Sequence, residues 1–157
     1  MALVMILAPL QVQALSCAPW QVEDAFSKAA QSKDSYLIVR GKLTFAQRDM
    51  PKVDWNRQQD VPPLTKIKAR LKGKSLGLTG YETKFSAPVT FLVSCAGPWC
   101  PSASSRSDVL AFVKKSGNRY EIELGACGGM VFENPTQDMI ERVNYCFSEG
   151  ACSTPHF

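Results

Sequence analysis

The chain has little histidine, no long apolar run and no repeated or low-complexity tract. Its one histidine is His156, the second-last residue, so no Ser/His/Asp arrangement can be assembled and a mixed Cys/His zinc site has almost nothing to draw on. No Cys-x-x-Cys pair exists. The loop Cys95-Ala-Gly-Pro-Trp-Cys100 places four residues between its cysteines, outside the two-residue spacing that tunes a redox thiolate. There is no Gly-x-Ser-x-Gly, and Gly73, Gly77 and Gly80 do not fall at phosphate-loop spacing, which leaves Gly73-Lys74-Ser75 a chance tripeptide. Glu121 and Glu123 lie two apart and share a strand face, but a solvated face explains them more simply than paired-carboxylate chemistry. These absences argue against an enzyme and give no reason to expect a cofactor or a metal.

What is present points to export. Ala2 to Leu10 is nine apolar residues, well short of the roughly 20 that a membrane-crossing helix needs. The run fits the apolar region of a secretory signal, with Val12 and Ala14 placed where signal peptidase prefers small residues, although no Lys or Arg precedes it. Residues 1–16 are therefore expected to be a signal peptide and residues 17–157 the single domain that follows. A buried N-terminal helix or strand is the competing reading, and Leu15-Ser16-Cys17 is a poor lipoprotein site that leaves a lipid anchor as the lesser alternative. Six cysteines, Cys17, Cys95, Cys100, Cys127, Cys146 and Cys152, make an even set of the kind that forms bridges in an oxidising compartment. The expected location is outside the cytoplasm, secreted or periplasmic.

The pattern of residues predicts a mainly β domain with flanking helices. Pro19 to Ala30 reads as a helix burying Val22, Phe26, Ala29 and Ala30, with acids early and Lys28 late, as the helix dipole favours. Tyr36 to Phe45 reads as a strand in which Gly41 marks a bulge or bend. Residues 46–63, with Pro51, Pro62 and Pro63, read as a long loop. Thr65 to Lys74 alternates strictly, Ile67, Ala69 and Leu71 against Lys66, Lys68, Arg70, Lys72 and Lys74, which predicts a half-buried strand with a basic outer face. Pro88 to Ser94 is a further short strand. Asp108–Lys114 and Arg119–Leu124 form a hairpin about Ser116-Gly117-Asn118. A last helix runs from Asn134 to Phe147, with Asn134 as cap, Pro135 at the first helical position, Gln137 closing a capping box, and a buried face of Met139, Ile140, Val143 and Phe147.

Cys17-Ala18-Pro19, Gly41-Lys42, the strand Thr90-Phe91-Leu92-Val93-Ser94-Cys95, and the hairpin from Val109 through Gly117-Asn118 to Leu124 and Cys127 together resemble the netrin-like domain of the tissue inhibitors of metalloproteinases. The likeness, that of a bacterial-type secreted homologue, covers most of residues 17–152. It implies a five-stranded OB-like barrel stabilised by disulfides. It also implies a bridge from Cys17, aligned with the second cysteine of the inhibitors' Cys-x-Cys, to Cys127, leaving Cys95 with Cys100 and Cys146 with Cys152. In that family a freed N-terminal cysteine chelates the protease zinc. Cleavage after Ala14 puts Leu15 at that place, cleavage after Ser16 leaves the second family cysteine missing, and Cys100 has no counterpart.

Charge is distributed unevenly. Residues 40–84 carry eleven Lys or Arg against four acids, a net of +7, while residues 120–157 carry six acids against one Arg, a net of −5. Lys66, Lys68, Arg70, Lys72 and Lys74 are thus expected to form an anion-binding stripe, with Trp55 and Tyr81 as nearby flat contacts. The partner of an exported protein would be an acidic glycan, a lipid headgroup or an acidic protein rather than nucleic acid. The plainer explanation is that lysines on an outer strand discourage edge-to-edge aggregation. A binding module is the expected function, and metalloproteinase inhibition through the mature N-terminus is the alternative.

Overall fold

The computed structural model describes residues 17–152. The leader assigned to residues 1–16, its cleavage and lipidation alternatives, and His156 lie outside the described residues. In chain order the elements are α1 (Val22–Gln31), β1 (Ser35–Phe45), β2 (Leu64–Gly77), β3 (Gly80–Ser94), β4 (Ser107–Ser116), β5 (Arg119–Gly125), β6 (Gly128–Gly129), β7 (Val131–Glu133) and α2 (Gln137–Glu149). Short 3-10 turns at Gln47–Asp49 and Gln58–Asp60 interrupt the loop between β1 and β2. Among the described residues, no helix is long and apolar enough to cross a membrane.

The pairing follows from where each strand can bury one face. β1 lies between β2 and β4 and is antiparallel to both. β2 and β3 form a long hairpin. β4 and β5 leave their turn paired over Lys114↔Glu121 to Ser116↔Arg119. β5 then departs to run parallel to β3 from Thr90↔Glu121 to Ser94↔Gly125. The pairings therefore close into a ring, β1–β2–β3–β5–β4–β1, with β6 and β7 as short additions to β5 and β4. Inside it, Leu43, Ile67, Leu71, Phe91, Val93, Val109 and Ile122 form one core. A second core lies between the outer side of the strands and the helices, where Ile38, Leu110 and Phe112 meet Val22, Phe26, Val143 and Cys146.

Several boundaries differ from the sequence expectation, each for a local reason. α1 begins at Val22 rather than Pro19, because Gln21 is extended and its N–H donates to Asp24 Oδ2 at 2.8 Å, closing the first turn. Ala30 is exposed, and Ala25 and Glu23 are buried instead. β3 starts at Gly80 rather than Pro88; its first half is mixed in polarity and is held as a strand by full-length pairing with β2. The cap of α2 is Thr136, whose hydroxyl accepts from Met139 N at 3.2 Å. Asn134 instead donates its N–H to Asp108 O at the strand edge, and Gln137 is the first helical residue and bonds Glu141. On α2, Ile140 and Val143 are buried as expected, Cys146 joins them, and Met139 and Phe147 are only half-buried.

Gly41 is not a bulge. The β1–β2 register runs through Gly41↔Gly73 without a break. The two backbones approach so closely there that a Cβ on Gly41 would lie 2.7 Å from the Gly73 Cα, and one on Gly73 would meet the Gly41 Cα at 2.5 Å. Only glycine permits this crossing.

The bridges are Cys17–Cys127, Cys95–Cys100 and Cys146–Cys152, the pairs that the resemblance implies.

Candidate functional site

Strand alternation makes the outer face of β2 basic. Lys66, Lys68, Arg70, Lys72 and Lys74 are all exposed, and Ile67 and Leu71 between them are buried. The register adds cations from both neighbouring strands: Arg40 and Lys84 flank Lys74, and Lys42 lies beside Lys72. Residues directly opposite in an antiparallel pair share a face, so like charges meet there at a cost of roughly 0.2–1 kcal/mol per pair. Arg40, Lys42 and Lys84 fall within the charge excess of residues 40–84, but only the register places them on this face.

No carboxylate offsets the β2 row. Among the described residues, none of its five cations forms an ion pair. Lys42 alone on this face is paired, with Asp108 at 3.2 Å. The acids of β5 stand one strand further away, Glu121 opposite Thr90 and Glu123 opposite Leu92. Glu123 is taken up by Lys28 at 2.7 Å, and Lys114, opposite Glu121, is held by Asp34 at 2.7 Å. That side of the ring is thus an ion-paired surface. No group of three or more His, Cys, Asp or Glu among the described residues is placed to hold a metal.

The two aromatics expected as flat contacts lie in different surroundings. Trp55 is exposed in the β1–β2 loop. Tyr81 is turned toward the second core by a register shift. Ser75 pairs with Thr83 but Leu76 pairs with Tyr81, so Glu82 is the extra residue, and Tyr81 comes to the helix-facing side, where alternation already places Leu76.

Where the helix-covered part of the outer face gives way to the open basic part, a cleft of about 680 Å³ forms. Arg40 and Lys74 line it beside the bare backbone of Gly41 and Gly73, the β7–α2 connection supplies Asn134 and Pro135, and Tyr81 and Asp108 complete it. The Tyr81 hydroxyl is buried and has no hydrogen-bond partner among the described residues. Burial pushes this phenol up from its ordinary value of 10.0 to about 12, against the smaller downward pull of Arg40. A group raised on folding contributes stability in full below its unfolded value, near pH 10, and loses it as pH climbs toward 12. A phenolate absorbance titration is expected to show one tyrosine of the four ionising near pH 12, a transition missing in Tyr81→Phe. If the variant titrates like the parent, the phenol is solvated.

Comparison with family models, with curated proteins and with solved structures gives no match for this chain.

Proposed function

We propose that this protein is an exported binding module of the netrin-like class that holds a polyanionic partner on the outer face of β1–β3. The observation that carries the reading is the β2 row itself, five exposed cations without a carboxylate partner among the described residues, widened by Arg40 and Lys84. A folded protein that keeps such a row bears its repulsion, and a polyanion relieves it. The ring order and the position of the row on the second strand support an OB-like barrel, in which the strand 2–3 face binds polymers. Three bridges fit an oxidising compartment.

Replacing Lys66, Lys68 and Arg70 with Gln is expected to weaken retention on an anionic resin and to reduce the salt dependence of binding by about two to three charges' worth. Thermal stability should stay level or rise slightly, because repulsion is removed. A triple variant retained like the parent makes the row a solvated strand face and no more. The second reading, metalloproteinase inhibition, is favoured by the Cys17–Cys127 bridge, which pins the start of the described chain. It requires Cys17 to be the mature N-terminus, and sequencing the secreted form tests it; a chain beginning at Leu15 overturns it.

A further inference from the structure

The basic face lacks what a base-stacking surface needs. Its outward positions besides the cations are Thr44, Leu64, Ser86, Pro88, Thr90, Leu92 and Ser94, with no aromatic among them, whereas single-stranded nucleic acid is held largely by stacking on aromatic side chains. The cleft at one end of this face, by contrast, is chemically mixed. Arg40 and Lys74 are donors with no ion-pair partner among the described residues. Tyr81 also lines the cleft, but its O–H is buried and unmatched among the described residues, so a ligand there meets its ring rather than its hydroxyl. Asp108, also lining it, is an acceptor only. Lys42 engages its Oδ1 at 3.2 Å, and its second oxygen can take a ligand hydroxyl. A ligand that meets all of these groups carries an oxyanion and free hydroxyls on neighbouring atoms. A polymer charged uniformly along its length would press an anion against Asp108.

We infer that the cleft is a subsite for one acidic sugar unit, bearing a sulfate or carboxylate, of an anionic glycan whose chain continues along the β2 cations. The inference rests on the polyanion reading above and names its ligand class. From Lys74 to Lys66 the row extends about 27 Å along the strand, so the cleft anchors one unit and the row tracks the rest. The Arg40 and Lys74 charges bind the acidic substituent, the Tyr81 ring packs against the sugar, and Asp108 selects for a hydroxyl beside it.

Calorimetry on the full chain tests this with four probes: a sulfated disaccharide, a long heparin fragment, oligo-dT matched to that fragment in charge, and vesicles of phosphatidylglycerol. Arg40→Gln is expected to weaken the disaccharide about tenfold, as loss of a hydrogen bond to a charged group does, and Tyr81→Leu, which removes the ring, by about two- to tenfold. Tyr81→Phe keeps the ring and removes a buried hydroxyl that has no partner among the described residues, so it should bind like the parent and be at least as stable. Lys66→Gln/Lys68→Gln should reduce affinity for the long fragment more than for the disaccharide, and Arg119→Gln, off this face, controls for net charge. If Tyr81→Leu binds the disaccharide like the parent, and Arg40→Gln acts no more strongly than Lys66→Gln/Lys68→Gln on every probe, the subsite is overturned while the polyanion face stands. If no variant alters binding of the long fragment, the polyanion reading itself fails. Binding of oligo-dT or of the vesicles as tightly as the heparin fragment at equal salt overturns the glycan assignment.

Discussion

Arg142→Met is expected to lower stability by about 3–5 kcal/mol, the cost of leaving one member of a buried ion pair alone. Glu23 stands in the first turn of α1 and is only 3% exposed. Its Oε1 accepts from Arg142 Nη1 at 2.6 Å, and its Oε2 is buried without a partner among the described residues. Arg142 also donates from Nε to Asp138 at 3.0 Å, so one guanidinium ties α1 to the helix that packs beside it. Burial by itself pushes Arg142 down, but the Glu23 bond and the two carboxylate charges outweigh it and the group is raised. Removing Arg142 strands a carboxylate between the helices. At roughly 2–4 °C per kcal/mol for a chain of this size, the melting temperature should fall by about 6–20 °C. Glu23→Met/Arg142→Met should regain most of the loss, since the buried charge is gone and the space stays filled. Should Arg142→Met fail to fold, Arg142→Lys, which keeps the charge and loses the planar fork, gives an intermediate reading. A fall of less than about 1 kcal/mol would place the pair in the exposed class and remove it as the clamp between the helices.

The second large effect belongs to the Cys17–Cys127 bridge. It closes a separation of 110 residues, against 5 for Cys95–Cys100. In the chain-entropy account these loops contribute about 4–5 and about 2 kcal/mol respectively. The long bridge also fixes the segment before α1 against the β5–β6 turn, where Trp20 lies so close to Gly128 that a Cβ there would be 2.8 Å from the Trp20 Cβ. Denaturant titration of Cys17→Ala/Cys127→Ala should therefore lose about twice as much as Cys95→Ala/Cys100→Ala. Equal losses, or the reverse order, would contradict the entropic account. Cys146–Cys152 is a poorer comparison, since Cys146 is buried in the second core and its removal also leaves a cavity.

The elements that could be read from residues alone are those whose information is local. β2 is the clearest case: a period of two over Lys66 to Lys74 admits one structure, a strand with cations out and Ile67 and Leu71 in, and the register leaves that alternation intact. The β4–β5 turn at Gly117-Asn118 and the interior of both helices are legible for the same reason, since turn residues and a 3.6-residue period act within a few positions. The first half of β3 is not, because Gly80 to Ala87 has no clean period and becomes a strand only by lying against β2. Nor is the start of α2, where Asn134 has the right side chain for a cap but is drawn to Asp108 by strand-edge pairing, so the helix waits for Thr136.

For the proposed binding face the division is similar. Local alternation determines that five cations share one side of β2. Tertiary pairing decides what they stand beside: Arg40 and Lys84 next to Lys74, and the acids of β5 a strand too far away to neutralise them. The cleft depends still more on the fold. It needs the close passage of Gly41 past Gly73, the extra residue Glu82 that turns Tyr81 to the helix side, and the β7–α2 connection brought against both. Each of these joins residues far apart in the chain or shifts a register by one, and neither leaves a periodic trace in the sequence, because side-chain alternation reports only which way a residue points and not which strand will lie next to it.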